Sequence, residues 1–140
     1  MSLWTNVENL IDEGRLLAPD IVYSDLKDKS DYIYNWAKLQ RKRLFYKISS
    51  EQLIVLRGIE NKFPNWIDPS TDKNQSDPYV IALAVSIKRE KQKGLKYSNI
   101  IVVTEESKDV KRLKIPKVCG EYNINVIDLN ELFEKENWKF

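Results

Sequence analysis

The chain has 140 residues, 42% of them hydrophobic and 31% charged, with only 4 Gly and 5 Pro, which is the composition of one folded domain with a sizeable core. It has no histidine and one cysteine, Cys119, which excludes Ser-His-Asp triads, Cys-His pairs, cysteine- or histidine-rich zinc sites and intrachain disulfides. The 23 basic and 21 acidic residues leave a net charge of +2, and any chemistry falls to carboxylates, Lys, Tyr and hydroxyls, foremost carboxylates acting through a hard metal ion.

Leu3, Val7, Leu10 and Ile11 recur at helical spacing, and Gly14 is placed to end that helix. Pro19 stands where the first residue of a second helix belongs, with Ile21, Val22 and Leu26 on its apolar side. Ser30 or Asp31 caps a third helix whose Ile33, Trp36 and Ala37 face inward, and Leu44 to Ile48 reads as a strand. Ser49 and Gln52 have capping-box spacing and open a helix in which Leu53, Leu56, Ile59 and Phe63 form one face. The stretch from Asn65 to Ser76 is the one clear loop. Asp77-Pro78 then predicts an acidic N-cap followed by Pro at the first helical position, and Tyr79 to Ile87 is apolar nearly all round, the mark of a buried helix. Ile100 to Val103 is a β-branched run expected as a buried parallel strand. Pro116 opens a short helix through Tyr122, Asn125 to Ile127 is another strand, and Asp128 caps a last helix from Leu129 to Glu136.

Strands separated by helices predict an α/β fold, a parallel sheet flanked by helices, with strands near Leu16, Phe45, Ile101 and Val126. Ligands of such sheets sit beyond the carboxyl ends of the strands, which draws attention to Thr104, Glu105 and Glu106. No apolar run is long enough to span a bilayer, and the N-terminus lacks a signal-peptide pattern, so a cytoplasmic protein is expected.

The positive charge is clustered. Lys38 to Lys47, Lys88 to Lys96 and Lys108 to Lys117 each carry five basic residues, Arg41, Lys42, Arg43, Lys88, Arg89, Lys111 and Arg112 among them, against the two acids Glu90 and Asp109. This is the footprint expected of a surface that tracks a phosphate backbone, and it also suits solvated helix ends. Tyr46 and Tyr97 lie beside these stretches and could stack on unpaired bases. Among the acids, Asp77 suits a helix cap as well as a metal ligand, the Glu105-Glu106 pair suits an exposed loop as well as a site, and Asp25 suits a helix surface.

Several separate motifs resemble the uncharacterised PIN-like proteins of bacteria and archaea. They are EGRLLAPDIVYSDL (Glu13 to Leu26), NWAK (Asn35 to Lys38), SDPYVIALA (Ser76 to Ala84), IIVVTEES (Ile100 to Ser107), KIPKVCGEYNINVIDLNELF (Lys114 to Phe133) and the closing NWKF. PIN domains are α/β nucleases that gather acidic residues around Mg²⁺ or Mn²⁺ at one edge of a parallel sheet, and many are RNA-cutting toxins of toxin–antitoxin pairs. By position, the resemblance assigns the metal-binding acids to Asp25, Asp77 and Glu106, with Glu105 as a second candidate and Thr104 as a hydroxyl neighbour. It also implies one single domain over residues 1–140, lacking the usual first central strand and its Asp. The four remaining strands are then expected to close up or to recruit a strand from a partner chain, which makes a homodimer plausible.

Two functions follow as expectations. One is a Mg²⁺- or Mn²⁺-dependent ribonuclease, with an antitoxin protein as partner if it is a toxin, in which metal-bound water hydrolyses RNA phosphodiesters without a histidine base. The other is a catalytically silent PIN-like module that keeps the basic surface and binds RNA or a protein partner.

Overall fold

The computed structural model describes residues 2–27, 29–64, 66, 76–93, 99–105 and 115–140, of which 91–93 are described by their backbone alone. Along these residues run α1 (Leu3–Asp12), β1 (Ala18–Pro19), α2 (Asp20–Leu26), α3 (Asp31–Leu44), β2 (Phe45–Tyr46), α4 (Ser50–Lys62), α5 (Asp77–Lys93), β3 (Ile101–Val103), α6 (Ile115–Glu121), β4 (Asn125–Ile127) and α7 (Leu129–Lys135). The fold is mixed helix and short parallel strand, as the alternation in the sequence predicts. The strands form two parallel ladders, β1 with β2 (Ala18 opposite Phe45) and β3 with β4 (Val102 opposite Val126). Among the described residues they are not joined into one four-stranded sheet. The chain divides into two compact units, Met1–Ile48 with Trp138–Phe140, and Ser49–Asn137.

In the first unit, Ser2 Oγ accepts from Thr5 N at 3.2 Å and opens α1. The helix ends at Gly14, whose φ of 71° lies in the left-handed region that costs glycine least. Gly14 N donates to Ile11 O at 3.0 Å and Arg15 N to Leu10 O at 2.9 Å, the paired bonds that satisfy the last carbonyls of a helix. Pro19 is not the first helical residue. Its ψ of 149° keeps it extended, so it ends β1 and caps α2, which begins at Asp20. Ser30 Oγ accepts from Ile33 N at 3.2 Å and caps α3. That helix runs on through Leu44, leaving only Phe45 and Tyr46 of the predicted Leu44 to Ile48 strand. Ile11, Tyr23, Ala37, Leu44 and Phe45 make the core of this unit.

In the second unit, Ser49 Oγ accepts from Gln52 N at 3.1 Å, as its spacing with Gln52 predicts. The inward face of α4 is rotated from the expected one. Gln52, Val55, Leu56 and Ile59 are buried, while Leu53 and Ile54 are 40% and 66% exposed. A helix that carries apolar side chains at four consecutive positions, Leu53 to Leu56, offers more than one stripe, and its partner selects among them. That partner is α5, which packs on α4, α6 and β3 and is consequently buried at every position from Ile81 to Ser86. The one polar group in that run, the Ser86 hydroxyl, donates to Leu83 O at 2.9 Å. Val102 of β3, Val118 and Cys119 of α6 and Ile124 complete the core.

Candidate functional site

The carboxyl end of the β3–β4 ladder is built by backbone bonds. Thr104 N donates to Ile127 O at 3.0 Å and carries the pairing one bond past β3, leaving Thr104 half-buried and Glu105 exposed. Glu105 Oε1 then accepts from Leu129 N at 2.7 Å. The carboxylate is held at the first turn of α7, where exposed N–H groups and the helix dipole favour an anion. Asp128 caps the same helix by accepting from Glu131 N at 2.8 Å, and Glu131 Oε1 accepts from Asp128 N at 3.3 Å to close a capping box.

Asp77 is half-buried and is the first helical residue of α5 rather than its cap. The helix opens one residue earlier than Asp77-Pro78 predicts, at Ser76, whose carbonyl accepts from Tyr79 N at 3.0 Å and Val80 N at 3.2 Å. Eleven residues along, Lys88 Nζ donates to Asn123 O at 2.6 Å, just before β4 begins. Eleven residues of helix span about 16 Å. The later half of α5 therefore reaches the approach to the amino end of β4.

Asp25 is an exposed residue of α2 in the first unit. Glu106, Lys111, Arg112 and Tyr97 lie outside the described residues. Among the described residues, no three Asp, Glu or Cys side chains gather closely enough to hold a metal ion. The donors at the carboxyl end of β3 are carboxylate and hydroxyl oxygens, the ligand chemistry of Mg²⁺ and Mn²⁺.

The basic candidates differ in what they touch. Arg41, Lys42 and Arg43 form the last turn of α3, where cations complement the helix dipole. Arg41 pairs with Asp20 at 3.7 Å, while Arg43 pairs with Asp12 and donates to Gln40 Oε1 at 3.1 Å. Lys88 is engaged with Asn123, and Lys42 and Arg89 are exposed, as is Tyr46.

A second constellation, between α2 and α3, was not expected from the sequence. The Tyr23 hydroxyl donates to that of Tyr34 at 3.2 Å. Lys27 Nζ lies 6.0 Å and the Arg41 guanidinium 4.4 Å from the Tyr23 ring, and Lys38 Nζ lies 5.5 Å from the Tyr34 ring. Donating to Tyr34 raises the Tyr23 phenol above its ordinary pKa, with burial adding to the effect. Accepting that bond lowers Tyr34, against its burial and with help from Lys27, Lys38 and Arg41. The signal lay in the spacing: Tyr23-Lys27 and Tyr34-Lys38 are both four residues apart, one helical turn.

No helix among the described residues is long and apolar enough to cross a membrane. No curated protein and no solved structure matches the chain. A family model does match, over residues 1–140, and the chain therefore belongs to the family described as a domain of unknown function (DUF4411).

Proposed function

We propose that the chain is a metal-dependent ribonuclease of PIN type, in which Asp77 and Glu106 of the second unit hold Mg²⁺ or Mn²⁺ with Glu105 and Thr104 beside them. The observation that supports this reading is the position of Thr104 and Glu105 at the carboxyl end of a parallel strand pair, where α/β folds keep their ligand sites. When bound, a hard divalent ion lowers the pKa of a coordinated water and offsets charge developing on the phosphate. The carboxylates position that ion, and the half-buried setting of Asp77 limits its exchange with solvent. Arg41, Lys42, Arg43, Lys88, Arg89, Lys111 and Arg112 attract the RNA backbone. A toxin role, with an antitoxin protein or a second copy of the chain as partner, goes with this reading.

A specific observation favours a second reading, a catalytically silent PIN-like module that binds RNA or a protein. The Glu105 carboxylate is engaged by α7 rather than left to a metal ion.

The test is cleavage of a labelled single-stranded RNA with Mn²⁺ or Mg²⁺, alongside Mn²⁺ binding measured by calorimetry. The nuclease reading expects cutting and Mn²⁺ binding, both lost in Asp77→Asn while the circular dichroism spectrum is kept, and cutting abolished by EDTA. RNA binding without cutting selects the silent module, and the absence of both overturns the nuclease reading and the RNA-binding form of the silent module.

A further inference from the structure

The α2–α3 constellation has the composition of an anion site. Lys38 stands one turn beyond Tyr34 on α3, Lys27 ends α2 four residues beyond Tyr23, and Arg41 stands seven residues beyond Tyr34 on the face that also carries Lys38. The aromatic faces hold these three cations, at 6.0, 5.5 and 4.4 Å from the ring centroids, and so restrict long side chains that would otherwise sample many rotamers. Asp20 balances Arg41 at 3.7 Å.

The hydrogen bond between the phenols gives the site a direction. The Tyr34 oxygen accepts the Tyr23 proton, so the proton of Tyr34 itself is available to a different acceptor. Tyr34 is half-buried, whereas Lys27, Lys38 and Arg41 are exposed, so a ligand can reach the group from solvent. One neutral donor and three cations gathered around one pair of tyrosine rings suit a ligand with several acceptor oxygens and negative charge, which is the chemistry of a phosphate group.

We propose that the Tyr34 hydroxyl, Lys27, Lys38 and Arg41 form a binding site for a phosphate group, supplied either by a nucleic-acid backbone or by free phosphate and small phosphorylated compounds. The site stands on its own geometry and does not require the nuclease reading.

The full chain is titrated by calorimetry with inorganic phosphate at low ionic strength, with chloride as control. Fluorescence anisotropy with a labelled single-stranded RNA forms the second arm. One phosphate per chain is expected, with affinity falling about tenfold in Tyr34→Phe and in Lys38→Gln, the loss of one charge-assisted contact each. Lys62→Gln, a change at the exposed pair of Lys62 with Glu121, leaves it unchanged. Lys38→Gln alters only an exposed side chain, so its effect is read without a change of fold. No heat beyond the chloride control, or equal affinity in all variants, overturns the proposal. Where phosphate and RNA weaken together, the backbone is the source; where phosphate weakens and RNA does not, the source is a free phosphate or small phosphorylated compound. Either result is separate from the cleavage test on Asp77.

Discussion

Ile81 and Ile54 share a side chain and differ in everything around it. Ile81 has 0% exposure inside the second unit, and Ile54 has 66% on the outer side of α4. Ile81→Ala is expected to cost about 2–5 kcal/mol by denaturant unfolding, because transfer and cavity terms add. Ile54→Ala should cost under about 0.5 kcal/mol. Tyr34 carries a prediction in pH. Its phenol is lowered in the folded chain, so its ionisation stabilises the fold as pH rises from the folded value to the ordinary 10.0. Tyr23 is raised, so it opposes folding as pH climbs through 10.0. Absorbance titration of the tyrosines should show a first phenol ionising below the ordinary range, and Lys38→Gln should move that step upward. The apolar character of Ile81 was legible in the sequence. The meeting of Tyr23 with Tyr34 was not, because it needs two helices to pack.

Helix ends show how far local chemistry reaches. Ser2, Ser30 and Ser49 each accept from the N–H three residues on, and each of those bonds spans less than one helical turn. The same holds for Asp128, and Asp128→Ala should destabilise the chain by about 1 kcal/mol in thermal or urea melts. Glu105 lies 24 residues from Leu129 and serves the same helix, through a bond that exists only once β3 and β4 are paired. Local preference misjudged three other helix starts by one residue, at Asp20, Asp77 and Ile115. Proline accepts both the extended and the first-turn geometry at nearly the same φ, so neighbouring structure decides between them. The stripe of α4 failed for a related reason. Four adjacent apolar residues leave the face undetermined until α5 covers one side.

Each of the two units carries its own core, and the second holds the most deeply buried element of the described chain, the Ile81 to Ser86 run of α5. Its amides should be the slowest to exchange with deuterium, and the two-residue strands β1 and β2 should exchange faster, since a short parallel pair has few protecting bonds. At this scale the net charge of +2 says little, because the attraction for RNA that the proposed function requires would come from where the cations stand. Under the proposed function, affinity for RNA is expected to fall steeply with salt in an anisotropy titration. The α/β class, the helix caps, the buried run of α5 and the β-branched strand β3 could be read directly from the residues, since burial preference and capping act within a few residues of chain. Strand partners, the side of α4 that is covered, the capture of Glu105 by α7 and the phenol pair between α2 and α3 were decided by tertiary structure alone. Each joins positions far apart in the chain, and no local preference of either partner specifies the other.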